Sequence, residues 1–200
     1  MAKDTNPICR KCRRAGSKLY LKGERCMTVK CSFTRRSYPP GKRGAMGVSF
    51  RKSDYGEQLS EKQKIKHIYF VLERQFSNIF KKASQSDNAG LELLILLEMR
   101  IDNVLKRAGM ANSTKSARQL VNHKHVKING STVKSSNYTV KVGDKISLKN
   151  VDKDFKSINE VASWLKVDEK NNIIEVTGIP TRDAISQDIK EDLVVELYSR

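Results

Sequence analysis

Cysteine is the residue type whose placement first suggests chemistry in this chain. All four cysteines fall in residues 9 to 31, the stretch CRKCRRAGSKLYLKGERCMTVKC. They are Cys9, Cys12, Cys26 and Cys31, spaced C-x2-C-x13-C-x4-C. Two close pairs separated by a loop suit a tetrahedral thiolate site. Each short pair forms a knuckle whose backbone amides can point at sulfur, and the loop brings the pairs together. Four thiolates around Zn2+ leave net negative charge. The neighbours Arg10, Lys11, Arg13, Arg14, Arg25 and Lys30 offset it and favour deprotonated sulfur. Zn2+ is the expected ion, with an iron–sulfur cluster as the alternative that takes the same four ligands. Four free thiols are the bland reading, and disulfides rank below it in a reducing cytosol. A site of this kind is structural, with a closed shell and no open catalytic position.

The cations around the cysteines belong to a wider imbalance. The 200 residues carry 39 Lys and Arg against 22 Asp and Glu, a net charge of +17. Residues 1–52 hold 15 cations and 2 carboxylates, residues 53–97 hold 6 of each, residues 98–150 hold 11 and 3, and residues 151–200 hold 7 and 11. A chain so charged repels itself unless a polyanion is present, so nucleic acid is the leading partner and an anionic membrane surface the second. The longest apolar stretch, LELLILLEM, is broken by Glu92 and Glu98. No segment reaches the roughly 18 apolar residues of a membrane span. The opening MAKDTNPIC has no apolar signal core, so a cytoplasmic location is expected.

Beyond the cysteines the basic arm runs on as SFTRRSYPPGKRGAMGVSFRKSDYG. Pro39, Pro40 and the glycines at 41, 44, 47 and 56 interrupt any period, so loop and extended chain are expected. Phe33, Tyr38, Phe50 and Tyr55 interleave with Arg and Lys. That mixture suits RNA, where rings stack on bases and guanidiniums grip phosphates; the alternative is a flexible basic tail. The arm's candidate RNA contacts are Arg13, Arg14, Arg35, Arg36, Lys42 and Arg43.

The elements that must position these residues follow from periodicity. Ser60 is a candidate N-cap with Gln63 three residues on. Ile65, Ile68, Leu72, Phe76, Ile79 and Ala83 then predict one long helix with a single apolar face. A second helix is predicted from Leu91 through MRIDNVLKR, ended by Gly109. TKSARQLVNHK predicts a short helix capped by Ser113 or Thr114, with Ala117, Leu120 and Val121 inward and Lys115, Arg118 and Asn122 on the other face. HVKINGSTV reads as strand, Asn129–Gly130 turn and strand. YTVKVGDKISL alternates around a Gly143–Asp144 turn. INEVASWLK predicts a helix with Trp164 in the core, NIIEVTG a strand, and LVVELYSR a last apolar segment. The class is α+β.

The segment S-x-x-ARQLV, followed by HV-x-ING and then VGD, resembles the S-four-type RNA-binding module, a helix pair plus a small antiparallel sheet. KLYLKGERC, RRSYPPGKRG, EKQKIKHIY and EDLVVELYSR extend the resemblance over nearly the whole chain to the bacterial small-subunit ribosomal protein S-four family. One departure is Lys124, which stands between two histidines where the family usually has Gly. The resemblance implies a primary rRNA-binding protein. It would bind a multi-helix junction in the 5′ domain of small-subunit rRNA, nucleate assembly of the subunit body and influence translational accuracy with ribosomal protein S-five. It also implies a place beside ribosomal protein S-three at the mRNA entry path; some members repress their own operon. Many members lack the four cysteines, so a metal cannot be essential to the family's fold. The resemblance divides the chain into a basic arm with the cysteine site (1–52), a helical domain (53–97, completed by 178–200) and an inserted RNA-binding module with an extension (98–177). The module's candidate RNA contacts are Lys106, Arg107, Lys115, Arg118 and Lys124. A free-standing RNA chaperone with the same module is the alternative.

An enzyme is not expected. Arg100-Ile101-Asp102 is similar to the Arg-x-Asp of pseudouridine synthases, but Asp102 near a helix N-terminus has a structural explanation. The 50 residues after Asn150 are too few for those enzymes' catalytic domain. His123 and His125 read as RNA-facing or packing groups, and His67 as an exposed helix residue. Gly41, Gly44 and Gly47 precede no strand-to-helix turn that would cradle phosphate.

Overall fold

The structure, a computed structural model, describes residues 6–47, 51–149, 161–168, 171–185 and 188–199, the side chain of Arg43 apart. In chain order the elements are α1 (Ile8–Ala15), a 3-10 turn (Gly23–Cys26), α2 (Ser32–Arg35), α3 (Lys42–Ala45), α4 (Asp54–Ile68), α5 (Glu73–Ala83), α6 (Ala89–Glu98), α7 (Ile101–Arg107), α8 (Thr114–Asn122), strands β1 (Val126–Ile128), β2 (Ser131–Thr132), β3 (Lys145–Leu148), β4 (Leu165–Asp168) and β5 (Ile173–Val176), and α9 (Glu191–Tyr198). They form two compact units, Met1–Gly90 with Asp188–Arg200, and Leu91–Gln187. The mixture of helices with one small antiparallel sheet agrees with the α+β expectation. No helix among the described residues is long and apolar enough to cross a membrane.

In the first unit the predicted long helix is two helices. It starts at Ser53, whose Oγ accepts from the Gly56 amide, and not at Ser60. It stops at Ile68 because the chain turns left-handed at Phe70 (φ 51°). The Val71 amide then reaches back to the Lys66 carbonyl (3.0 Å) and the Phe70 amide to that of His67 (3.4 Å), a Schellman ending. Phe70 is 8% exposed, so burial of its ring offsets the backbone strain. The apolar period continues past this turn, which is why the sequence reads as one helix. His67 is half-buried and not exposed. The carboxylate of Glu73 opens α5 and pairs with Lys62 and with Lys66 Nζ (2.6 Å), joining α4 to α5. Burial alone would lower the Lys62 pKa, but its hydrogen bonds to Glu73 and Tyr198 outweigh burial and raise it. The chain's last helix, α9, packs along α4. Its Tyr198 ring stacks on Phe80 at 4.2 Å under the Lys62 ammonium at 4.7 Å. Gly90 permits the approach of α9, since a Cβ there would lie 3.1 Å from Glu191 Cγ.

The arm is more ordered than the loop expected of it. α1, α2 and α3 are short helices within it, and α1 packs against α2 and α4. Phe50 lies outside the described residues.

The second unit holds one core, built from α7, α8 and the inner face of a five-stranded antiparallel sheet of order β2-β1-β3-β5-β4. Ile101, Val104, Leu105, Ala117, Val121, Val126, Ile146 and Ile174 are fully buried there. The predicted helix from Leu91 to Gly109 is interrupted at Met99 and Arg100. These residues are drawn into strand-like pairing with a distant segment: the Val140 amide donates to Met99 O (2.9 Å) and the Ile101 amide to Tyr138 O (2.9 Å). Asn129 (φ 47°) and Gly130 (φ 84°) make the tight β1–β2 turn as predicted. Asp144 locks the next turn, accepting from the Lys141 amide (2.8 Å) and Asn129 Nδ2 (2.9 Å). The predicted helix INEVASWLK is overturned from Val161 on. Leu165–Asp168 is instead the edge strand β4, its hydrogen bonds taken by β5. Ile158, Asn159 and Glu160 lie outside the described residues. Trp164 is core, 5% exposed.

Helices α7 and α8 end alike. After α7, Gly109 (φ 77°) takes the left-handed position. After α8 the same position falls to Lys124 (φ 64°), with the Lys124 amide bound to Val121 O (2.9 Å) and the His125 amide to Leu120 O (3.1 Å). A side chain there costs about 1 kcal/mol relative to glycine. Lys124→Gly should therefore raise stability by about that amount, read as a higher urea midpoint at unchanged slope; an unchanged or lower midpoint contradicts the strain.

Candidate nucleic-acid interface

In the second unit the first turn of α8 sets the geometry. Ser113 Oγ accepts from the Ser116 amide (3.2 Å) and fixes where the helix begins. Lys115 and Arg118, three residues apart, then share one face as the sequence predicts. Lys115 is exposed and Arg118 half-buried. Arg118 Nε lies 3.8 Å from Asp102 Oδ2. Asp102 is fully buried and already held by Arg100 through two hydrogen bonds, Nε to Oδ1 at 3.1 Å and Nη2 to Oδ2 at 2.8 Å. Arg100 also donates to Asn137 Oδ1 at 3.1 Å. One carboxylate thus serves two guanidiniums. Burial lowers the Arg118 pKa, and Asp102 acts against that.

A second buried carboxylate repeats the arrangement. Glu98 (1% exposed) binds Arg107 twice, at 2.6 and 3.0 Å, and accepts from Asn103 Nδ2 at 2.5 Å. Of the five module candidates, Lys115 and Lys124 stand exposed, Arg118 is half-buried beside them in sequence, Arg107 is committed to Glu98, and Lys106 is buried (8% exposed). At the end of α8 the structure adds a cation the sequence reading missed. The Lys149 amide donates to His125 O (2.8 Å), which brings exposed Lys149 beside Lys124. The rings of His123 and His125 lie 6.1 Å apart at the same place. The signal for Lys149 is the β1–β3 register, Val126 opposite Leu148, which no local pattern prints.

The first unit presents the arm. Arg14, Arg35, Arg36 and Lys42 are exposed. Arg13 has a different place. Its Nε donates to Tyr38 O (2.9 Å) and its Nη2 to Pro39 O (3.3 Å), with the guanidinium 4.8 Å from the Tyr38 ring centroid. It folds the RRSYPPGKRG turn onto α1. Gly44 closes that turn, since a Cβ there would meet Pro39 O at 2.1 Å.

All four cysteines are unbonded to one another as thiols, with Cys12, Cys26 and Cys31 buried and Cys9 half-buried. Backbone amides point at their sulfurs: Lys22 at Cys26 (3.4 Å), Leu19 at Cys12, and Thr34 and Phe33 at Cys31. Burial raises the Cys12 and Cys26 thiols; Cys26, Cys9 and Cys31 raise Cys12 further, and Cys31 and Cys9 raise Cys26. Burial pushes Cys31 up as well, but the Thr34 and Phe33 amides outweigh it and lower the thiol. The sulfurs are near enough to influence one another, yet among the described residues no three His, Cys, Asp or Glu side chains stand arranged to hold a metal.

Residues 3–98 match the ribosomal protein S4/S9 N-terminal domain, and residues 99–146 match the S4 domain. The chain is 47% identical over 210 residues to the small ribosomal subunit protein uS4 of Caldicellulosiruptor saccharolyticus, with all of both chains covered. The chain belongs to the ribosomal protein S4 family. It is 46% identical to the uS4 proteins of Clostridioides difficile and Desulfotalea psychrophila, again over the whole of each chain. The S4-domain match takes in α7, α8, β1, β2 and the start of β3, and therefore the Arg100–Asp102–Arg118 cluster. Strands β4 and β5 lie beyond it and continue the same sheet.

The geometry makes Asp102 a structural pivot. Asp102→Ala leaves the buried Arg100 unpaired and should cost about 3–5 kcal/mol, whereas Arg118→Gln, at a half-buried site, should cost under about 1 kcal/mol. Chemical denaturation of the two variants checks this; equal losses would refute the ranking.

Proposed function

We propose that the chain is a structural, non-enzymatic constituent of the small ribosomal subunit that binds rRNA. The carrying observation is the match over the full length of both chains to proteins named small ribosomal subunit protein uS4. The cation-rich faces agree with it, since neutralising phosphates is how a protein grips RNA. This places the chain in the cytoplasmic ribosome. Phosphate contacts supply affinity through exposed Lys115, Lys124, Arg14, Arg35, Arg36 and Lys42, joined by Arg118 and, in the arm, Arg43. Arg13, Lys106 and Arg107 shape those faces from within, by the contacts and burial described above. Specificity comes from rRNA shape. The finer reading assigns the target as a multi-helix junction in the 5′ domain, the role as nucleation of the subunit body, and the protein neighbours as ribosomal proteins S-five and S-three, the latter at the mRNA path.

The test changes charge without burying a new one. A glutamate at 118 would face Asp102, so Arg118→Gln is combined with Lys115→Glu. The pair should weaken rRNA binding in a filter-binding titration and flatten the slope of log affinity against log salt by about 2. An unchanged affinity and slope would refute the assigned face.

The same reading includes Zn2+ held by Cys9, Cys12, Cys26 and Cys31. What supports it is the donor set: four thiols in one arm, with backbone amides aimed at the sulfurs of Cys12, Cys26 and Cys31. When bound, the ion would cross-link the arm and reduce the entropy lost on meeting RNA. Elemental analysis of the purified full chain should find about one zinc per chain, lost in Cys26→Ser. Iron in its place would select the cluster, and absence of both would overturn the site.

A further inference from the structure

Five residues other than glycine take the left-handed backbone region among the described residues: Tyr20, Phe70, Lys124, Asn129 and Asn172. Asparagine tolerates that region, so Asn129 and Asn172 need no further cause. Phe70 is buried. Lys124 is a lysine at a helix end, already among the phosphate contacts above. Tyr20 (φ 49°) is a bulky aromatic, and the residue is 42% exposed. Where the arm needs left-handed backbone for turning alone it uses glycine, at Gly16 (φ 71°) and Gly23 (φ 57°). The strain at Tyr20 is therefore not explained by the turn.

The surroundings of Tyr20 hold it in that position. Leu19 and Leu21 on either side are each only 3% exposed. The Leu19 amide points at the Cys12 sulfur and the Lys22 amide at the Cys26 sulfur (3.4 Å). The span is anchored at both ends, and the left-handed residue between two inward leucines turns its own side chain out. Lys18 and Lys22 stand two residues to either side, with Lys22 exposed. A pre-positioned ring between cations is what a single-stranded or bulged RNA base requires: a π-face to stack on, and charges to hold the adjoining phosphates. Local strain of this kind persists where surrounding structure over-determines it and the bound state uses it.

We propose that Tyr20 is a base-stacking residue, a platform for one unpaired nucleobase of the RNA, distinct from the cationic contacts. It rests on the rRNA-binding reading. The ring supplies affinity without releasing counterions, so its signature differs from that of a lysine or arginine. The full-length protein is titrated against small-subunit rRNA across a salt series, with each variant's denaturation midpoint measured alongside. Tyr20→Leu should bind about ten-fold more weakly with an unchanged salt slope, the scale of one lost base–aromatic stack. Tyr20→Phe should bind as the unchanged protein does. Tyr20→Gly, which relieves the strain, should hold or raise the midpoint while losing affinity as Tyr20→Leu does. Equal affinity of Tyr20→Leu and the unchanged chain, while the Lys115 and Arg118 changes still weaken binding, overturns the stacking role alone. Loss of affinity in Tyr20→Leu that Tyr20→Gly restores also overturns it, by making strain the cause. If Tyr20→Leu keeps its RNA affinity but fails to recruit other subunit proteins, the ring belongs to a protein contact and the proposal fails. An unchanged chain that does not bind the rRNA overturns the reading beneath both.

Discussion

The scarcity of carboxylates between residues 98 and 150 is the constraint on which the second unit depends. Eleven cations share that segment with Glu98, Asp102 and Asp144. None of the three carboxylates serves to screen the surface. Asp102 sits at 0% exposure between Arg100 and Arg118, Glu98 at 1% against Arg107, and Asp144 ties two turns together. A buried carboxylate is tolerable only with its charge and lone pairs satisfied, and each has donors enough. The consequence runs outward. Cations that meet these carboxylates become framework, while others, Lys115 and Lys124 among them, stand exposed. The unit's folding and its appetite for phosphate thus arise from one allocation of charge.

The same economy of means governs the backbone. Helices α4, α7 and α8 all stop by turning left-handed, and the residue at that point differs each time: Phe70, Gly109, Lys124. At Gly109 the turn carries no side-chain strain. At Phe70 the strain is offset within the protein, by burying a ring. At Lys124 the side chain is exposed, so burial does not offset the strain, and on the proposed reading a phosphate contact does. Tyr20 falls in the same class as Lys124.

Much of the second unit was legible because its signals are local. The Ser113 cap, the shared face of Lys115 and Arg118, the Asn129–Gly130 turn and strand β5 all rest on residues within a few positions of one another. The errors share a cause as well. The breaks at Phe70 and at Met99–Arg100 leave hydrophobic period intact on both sides, so the pattern reads through them. The second break exists only because Tyr138 and Val140, some forty residues on, offer backbone partners. Strand β4 reads as helix for the same reason: β5 supplies its ladder, and INEVASWLK has no way of announcing it. Within the candidate site, charge was legible and role was not. Arg13, Lys106 and Arg107 look like Lys115 in a sequence, and only the carbonyls of Tyr38 and Pro39, the burial of Lys106 and the carboxylate of Glu98 set them apart.

That distinction bears on how a chain of net charge +17 can present an ordered surface before RNA arrives. Repulsion among arm cations would favour extension. Arg13 opposes it directly, because a guanidinium hydrogen-bonded to two carbonyls and lying near an aromatic ring turns one of the repelling charges into a tie. The amide-to-sulfur contacts at Cys12, Cys26 and Cys31 add ties that carry no cation at all. Each such tie lowers the entropy left to lose on binding, and on the proposed reading the exposed Arg14, Arg35, Arg36 and Lys42 meet phosphate from an arm already folded. An arm of the same composition without Arg13 and Gly44 would have the same charge and would lose more of its binding energy to ordering. On the proposed rRNA-binding reading, the residues that fold the arm bear on its affinity as much as the residues that meet phosphate.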